Sequence, residues 1–279
     1  MSGFRSSTTD PNLVWRSRRP APLSGRISHA KGTSMLKQMA WTAGVVMALM
    51  TSPAKPAVVI GATRVVFPAA QRDVAVRLQN KGEEPALVQV WIDDGDEASS
   101  PQTARGPFVI TPPVFRIDPG HGHAVRIVHV GDVKPVDKEK LYWLNVLEIP
   151  PKADKAEGSN VLQFAFRHRL KLFHRPERLS STVDQAPAKL VWSLVRSDGA
   201  ASLRVANPSP YVVSFNAIGL SPSDAPTAPT VPLGGGMVMP GGSLTIPVSS
   251  ATGPELTRVS YAVINDYGAV VPGTAKLAP

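Results

Sequence analysis

Apolar and polar residues alternate most regularly in the segment 161–176, VLQFAFRHRLKLFHRP. Three apolar side chains share one face of this extended segment: Leu162, Phe164 and Phe166. Three cations share the opposite face: Arg167, Arg169 and Lys171. The period of two predicts a β-strand from Leu162 to Leu172, with one interruption at His168. Because a buried cation without a partner is costly, we expect acidic groups to meet the cationic face.

Short apolar runs recur along the rest of the chain, among them VVF, VAVRL, ALVQVWI, HAVRIVHV and LYWLNVLEI. The 28 prolines and 22 glycines punctuate these runs with turn signals, and no long segment shows a convincing helical period. A chain of 279 residues that is 43% hydrophobic is long enough for one or two ordinary cores, and we expect two. The pattern therefore predicts an all-β protein.

The N-terminal region predicts export. Lys37 precedes an apolar run over residues 39–50, and the small residues of TSPAKPA follow it, which is typical of a secretory signal peptide over 35–57. Membrane crossing needs about 20 apolar residues, so an uncleaved anchor is the weaker alternative. Residues 1–34 show no apolar periodicity, so we interpret them as a non-native or disordered N-terminal extension and expect Met35 to be the true start.

Charge and cysteine content narrow the function classes. Of the formal net charge of +9, residues 1–34 carry five units and Lys37 and Lys55 add two, which leaves +2 for the rest of the chain. This small excess does not favour a nucleic-acid partner. The chain has no cysteine, which excludes a disulfide, a cysteine nucleophile and a cysteine-ligated zinc site.

Several motifs resemble, in order, those of the PapD-like family of periplasmic pilus chaperones. The matching stretches are TRVVFP from Thr63, NKGEEPALVQVWIDDGD from Asn80, PFVITPPVFRIDPG from Pro107, YWLNVLEIPPK from Tyr142, NVLQFAFRHRLKLFHRP from Asn160, NPSPYVV from Asn207 and INDYG from Ile264. The resemblance implies two immunoglobulin-like β-sandwich domains in a boomerang arrangement, over 58–176 and 177–279. The short segment KADKAEGS after Pro151 resembles the subfamily that serves rod-like adhesive pili.

The resemblance also implies a function. Such a chaperone works in the periplasm without ATP, binds pilus subunits by lending them a β-strand, and delivers them to an outer-membrane usher. Leu162, Phe164 and Phe166 match the positions that enter the subunit's apolar groove, where each buried side chain contributes roughly 1.5–3 kcal/mol. No catalytic residue, metal or cofactor is implied, and neither is a nucleic-acid partner or stable membrane insertion after signal cleavage.

Two further groups of residues match charged positions of the family. Arg64 and Lys171 match a pair that anchors the subunit's C-terminal carboxylate in the cleft between the domains. Glu148, Arg175 and Asp266 match an ion network across the domain junction, for which we expect a structural role.

Some features of the sequence raise alternative functions. His121 and His123, with His129 nearby, have a spacing that could seat a metal, but no fourth ligand is apparent, and we expect no metal site. The acidic run 93–97 lacks the ligand spacing of a calcium loop, so we expect a solvated turn. The alternatives to a chaperone are a pilus subunit, another secreted binding protein and a secreted metal-dependent enzyme. A pilus subunit would be one sandwich that lacks a strand, whereas this chain has two strand sets.

Overall fold

The structure, a computed structural model, describes residues 57–131, 137–152, 162–197, 200–223, 230–249 and 256–278. The predicted extension 1–34 and all of the predicted signal peptide 35–57 except Ala57 lie outside the described residues. The segment KADKAEGS does too, apart from Lys152. Within the described part of the chain, no helix has the length and apolar character needed to span a membrane.

The first half of the described chain forms a β-sandwich. Its strands are β1 (Val58–Ile60), β2 (Arg64–Pro68), β3 (Asp73–Asn80), β4 (Ala86–Asp93), β5 (Phe108–Thr111), β6 (Val114–Ile117), β7 (Gly122–His129), β8 (Lys140–Ile149) and β9 (Phe166–Arg175). One sheet has the order β1-β3-β7-β5 and the other β2-β9-β8-β4-β6. All pairs are antiparallel except β2 with β9. The first two described strands lie in different sheets, β1 in one and β2 in the other.

Alternation of side chains builds the core of this sandwich. In β3, Val76 and Leu78 are buried while Arg77 between them is exposed, as expected for a strand with one face on the core. The most deeply buried side chains come from both sheets: Val58, Phe67, Val88, Val125, Ile127, Leu144, Val146 and Leu172. Each contributes roughly 1.5–3 kcal/mol through the apolar surface that it removes from water.

The second half forms another β-sandwich. Its strands are β10 (Val191–Ser197), β11 (Ala200–Ala206), β12 (Val213–Ser221), β13 (Val231–Val238), β14 (Ser243–Val248), β15 (Arg258–Ile264) and β16 (Val270–Lys276). The sheets have the orders β10-β11-β14 and β13-β12-β15-β16, and all of their pairs are antiparallel. Trp192, Leu203, Val205, Leu220 and Val259 are the most buried members of its core. The prediction of an all-β protein with two sandwiches is confirmed.

The two sandwiches share a small apolar contact. Leu141 and Phe173 from the first sandwich pack with Val212 from the second, and all three are buried. Partly buried side chains surround them: Val66, Trp143 and Met237. The ends of β8 and β9 are therefore fixed against the start of β12, which is where charged residues of both sandwiches meet.

Candidate functional site

Two cations lie side by side where β2 meets β9. The parallel register of these strands places Arg64 opposite Lys171. Nζ of Lys171 donates a hydrogen bond to Oγ of Ser214 at 2.8 Å, and one terminal nitrogen of Arg64 donates to the carbonyl of Ile264 at 2.8 Å. The site thus combines the first sandwich, which supplies the cations, with the second, which supplies two neutral acceptors.

These cations are short of counter-ions. Among the described residues, neither Arg64 nor Lys171 forms an ion pair, and Nε of Arg64 is buried without a hydrogen-bond partner. Burial, followed by the charge of Arg64, lowers the pKa of Lys171 to about 8. Burial also lowers the pKa of Arg64, although Asp266 opposes that shift. A bound anion would relieve both shifts, because it favours the charged forms.

A cavity of about 140 Å³ opens beside the pair, between the two sandwiches. Arg64 and Ser214 line it together with the apolar side chains of Phe173, Val263 and Val271. Glu139, Asp184 and Asp266 also line the cavity, together with Arg175, which binds Glu139 and Asp266. Arg64 is therefore the lining guanidinium that has no ion pair among the described residues, and an anion that enters the cavity could bind to it.

Beyond these cations, one edge of β9 is open. Strand β2 pairs only with residues 171–175, so residues 166–170 pair with β8 alone among the described strands. A depression of about 400 Å³ runs beside this edge, with Ile60, Thr63 and His168 in its lining. The edge offers main-chain hydrogen-bonding groups to an added strand.

The predicted strand is shorter than expected at its N-terminal end. Strand β9 begins at Phe166, and residues 162–165 lie outside any strand, because β8 pairs with β9 no further than Glu148 opposite Phe166. Leu162 is 77% exposed and Phe164 is 50% exposed, whereas Phe166 is half-buried. Leu162 and Phe164 therefore do not belong to the core of this sandwich.

An ion network joins the sandwiches at the other end of β9. Arg175 binds the carboxylate of Asp266 through two nitrogens, at 2.6 and 2.9 Å, and its Nε donates to Glu139 at 2.7 Å. The second oxygen of Glu139 accepts the backbone N–H of Val212 at 2.9 Å. Burial alone would lower the pKa of Arg175, but Asp266 and Glu139 outweigh it and raise that pKa.

The assignment of Glu148 to this network is wrong. Glu148 accepts the backbone N–H groups of Ala57 and Val58 at 2.9 and 3.0 Å, near the far end of β8. The acid beside Arg175 is Glu139, which precedes β8, and nine residues of strand separate the two glutamates by roughly 30 Å. The register gives the signal that sequence reasoning missed, because Lys140 lies opposite His174 and Glu139 is therefore level with Arg175.

The prediction of a solvated turn over residues 93–97 is wrong for its first residue. Asp93 ends β4 and is fully buried, whereas Asp94, Asp96 and Glu97 are exposed. Arg169 donates to Asp93 at 2.7 Å and Arg167 lies 3.9 Å from it, so an acid does meet these two cations. The sequence does not indicate this contact, because Asp93 and Arg169 are 76 residues apart.

The histidines of the predicted hairpin do not converge. His121 lies exposed in the turn, His123 stacks on Phe115 with ring centroids 4.2 Å apart, and His129 stacks on His174 at 4.7 Å. Within the described ranges, no three histidine or acidic side chains form a group that could hold a metal ion.

Comparisons with known proteins match both sandwiches. Residues 57–180 match the family described as "Pili and flagellar-assembly chaperone, PapD N-terminal domain", and residues 185–275 match "Pili assembly chaperone PapD, C-terminal domain". The chain is also 40% identical over 224 residues to the probable fimbrial chaperone YadV of Escherichia coli K12, covering 79% of this chain and 89% of that protein. The chain belongs to the PapD-like family of pilus chaperones.

Solved structures of PapD-like chaperones have the same fold. The Pseudomonas aeruginosa CupB2 chaperone is 36% identical, with a TM-score of 0.66 over 79% of this chain and all of that chain. A structure of the Salmonella enterica SafA pilin in complex with the SafB chaperone gives 25% identity and a TM-score of 0.65, over 81% of this chain and 99% of that chain.

Proposed function

We propose that this protein captures an incompletely folded pilus subunit by adding the edge of β9 to it and by binding the subunit's terminal carboxylate at Arg64 and Lys171. One observation carries the proposal: at the base of an open strand edge lie two partly buried cations that form no ion pair with a described carboxylate. Holding two like charges together partly out of water is costly, and an anion that binds from outside would reduce that cost.

The open edge supplies the general attachment. The main-chain groups of residues 166–170 that point away from β8 have no partner strand among the described residues, and they can pair with any extended backbone. On the N-terminal side, Leu162 and Phe164 are exposed and spaced by two, so they would enter successive pockets of the subunit together with Phe166. Burial of each would contribute roughly 1.5–3 kcal/mol.

The cation pair would set the register of the added strand. A guanidinium and an ammonium can hold a carboxylate by charge-assisted hydrogen bonds worth roughly 1.5–3 kcal/mol each. Fixing the end of the subunit matters because a slip by one residue would turn every apolar side chain away from its pocket. In this proposal, Arg175, Glu139 and Asp266 hold the two walls of the cleft in place.

We further propose that the protein works in the periplasm and passes its subunit to an outer-membrane usher. The signal-like segment before residue 58 and membership of a pilus chaperone family support this assignment. The pilin bound to the SafB chaperone, which shares the fold, supports a pilus subunit as the partner.

Co-purification from the periplasm with pilus subunits of the same bacterium tests the proposal. The wild-type protein should yield a one-to-one complex, and Arg64→Ala and Lys171→Ala should each lose it while remaining folded. Lys81→Ala, which alters an exposed lysine after β3, is the matched control and should retain the complex. A complex that is indifferent to Arg64 and Lys171 would contradict the anchor, and no complex with any subunit would contradict the function.

A further inference from the structure

A buried carboxylate lies behind the open part of β9. The side chain of Asp93 is 1% exposed and accepts four hydrogen bonds from groups that are distant in sequence or in the following turn. The donors are Arg169 at 2.7 Å, Asn145 at 2.7 Å, Ser99 at 2.8 Å and the backbone N–H of Gly95 at 2.8 Å. Burial alone would raise the pKa of Asp93, but these bonds outweigh it and lower that pKa.

Arg167, two residues before Arg169 on the same face of β9, joins the same network. It donates twice to Oδ1 of Asn145, at 2.9 and 2.7 Å, and once to the carbonyl of Glu97 at 2.9 Å. Its guanidinium lies 4.8 Å from the ring centre of Trp91, and that of Arg169 lies 4.4 Å from Trp143. Both arginines are therefore immobilised against β4 and β8 by charge, hydrogen bonds and aromatic faces.

The position of the network along β9 is informative. Residues 171–175 have strands on both sides, β2 and β8, whereas residues 166–170 have β8 alone. The two arginines that bind the Asp93 network are the second and fourth residues of β9, inside the half that lacks β2. Residues 162–165, immediately before the network, are not in a strand.

A strand with one neighbour tends to fray from its free end, since each ordered residue loses conformational entropy. The Asp93 network opposes fraying from the side-chain face and leaves the open main-chain edge untouched. It therefore does for residues 166–170 what β2 does for residues 171–175, without occupying the hydrogen-bonding groups that a partner needs.

We propose that Asp93 is a positioning residue for subunit capture: through Arg167 and Arg169 it keeps the open half of β9 extended and in register before a partner arrives. This inference rests on the proposed function. Capture then begins on a formed strand edge and proceeds outward over Phe164 and Leu162, so that most of the ordering cost is met before binding.

Amide hydrogen exchange of the free protein tests the positioning step. Asp93→Asn keeps the size of the side chain but removes its charge, and it should raise exchange of the residue 166–170 amides that bond to β8 by about tenfold or more. Amides of residues 171–175 should change much less. The matched control is Asp73→Asn, which removes an ion pair with Arg126 between β3 and β7 and should leave β9 unchanged. Unchanged exchange over 166–170, or an equal rise throughout the sandwich, would overturn the proposal.

A second variant covers the case in which Asp93→Asn does not fold. Arg169→Gln removes the shortest ion pair of Asp93 but leaves its bonds from Gly95, Ser99 and Asn145, so it should give the same local effect. Exchange over 166–170 that is as slow as in the wild type would then overturn the proposal.

Capture kinetics separate this role from plain stabilisation. The probe is the unfolded form of the pilus subunit that co-purifies with the wild-type protein, mixed with each variant under conditions where the variant is fully folded. Asp93→Asn should slow association about tenfold, and Asp73→Asn should not. Equal association rates for Asp93→Asn and wild type would overturn the proposal while leaving the proposed function intact. If the wild type captures no subunit, the proposed function fails, and the exchange measurement still decides whether Asp93 orders β9.

Discussion

Lys171 and Arg175 lie on the same strand, four residues apart, and yet their surroundings differ completely. Arg175 is bound by Glu139 and Asp266, with three short bonds to carboxylate oxygens. Among the described residues, the side chains of Lys171 and its neighbour Arg64 donate hydrogen bonds to a hydroxyl and to a carbonyl, and neither forms an ion pair. A cation that is paired with carboxylates stabilises the folded state. A desolvated cation without a counter-ion instead favours the binding of an anion.

The largest effect on stability is expected from Arg175, the cation that is paired with carboxylates. Arg175→Met should lower the free energy of unfolding by about 3–5 kcal/mol, because it leaves the buried Glu139 without its cation. Urea denaturation measures the loss. Arg116→Met is the control, since its ion pair with Asp118 is exposed and should contribute about 0–1 kcal/mol. A loss for Arg175→Met no greater than that of the control would remove the distinction between the two cations.

The same substitution at the unpaired cation should leave the fold intact and weaken binding. Lys171→Met should not lower the free energy of unfolding, because the ammonium that it removes is desolvated and lacks a carboxylate. Affinity for a peptide of the subunit's last strand should fall about 10–150-fold, the equivalent of one charge-assisted hydrogen bond. Titration calorimetry with peptides that end in a free carboxylate or an amide measures it.

The amidated peptide serves as the internal control for Lys171→Met. Wild-type protein should prefer the free carboxylate, and the preference should shrink in the variant. A variant that distinguishes the two peptides as well as the wild type does would show that Lys171 does not contact the terminus.

The sequence predicted only part of this difference between Arg175 and Lys171. Alternation predicted the strands, because one buried face per strand imposes a period of two wherever the strand lies, and the family resemblance implied the two sandwiches. The resemblance brought Arg175 and Asp266 together, and the structure places them in contact. The binding roles of Arg64, Lys171, Leu162, Phe164 and Phe166 stay predictions, since a partner must be present to test them.

The errors have one physical origin, which is contact between strands that are distant in sequence. Glu148 has the right charge but lies at the wrong end of β8, and only the register with β9 distinguishes it from Glu139. Asp93 is followed by turn residues, so its neighbours in sequence suggested solvent, while Arg169 from another strand buries it. Residues 162–165 alternate like a strand, but alternation does not show whether a neighbouring strand is present, and the pairing of β8 with β9 ends at Phe166.

A smaller effect is expected from the turn that touches both sites. The turn 265–268 carries Asp266, which binds Arg175, and it directly follows Ile264, whose carbonyl accepts a hydrogen bond from Arg64. Gly268 has a φ of +84°, and an added Cβ would collide with the hydroxyl of Thr63 at the start of β2. Gly268→Ala should therefore lower the free energy of unfolding by about 1–2 kcal/mol from backbone strain alone, and by more if Thr63 cannot move away.

A matched glycine separates strain from collision in Gly268→Ala. Gly120 has a φ of +74°, and a Cβ there would meet no atom within 4 Å. Gly120→Ala should show the strain alone, so the excess loss in Gly268→Ala reports the contact between the turn and β2. Equal losses would mean that the contact of Gly268 with Thr63 does not constrain the junction.

The mildest perturbation is a change of pH, and comparison with Lys171→Met isolates the part of the response that comes from Lys171. The pKa of Lys171 is about 8 in the free protein and 10.5 in its ordinary state, and a bound carboxylate should raise it. Above pH 8 the free protein loses a proton that the complex keeps, so binding must take up that proton. Affinity for the peptide with a free carboxylate should therefore fall by up to about tenfold per pH unit between pH 8 and 10. Over the same range the unfolded chain holds more protons than the free folded protein, so the stability of the free protein should rise with pH. Affinity and stability should therefore change in opposite directions with pH, and both slopes should be absent in Lys171→Met. That result would show that the Lys171 ammonium destabilises the free protein and stabilises its complex. Slopes of the same sign would contradict this interpretation.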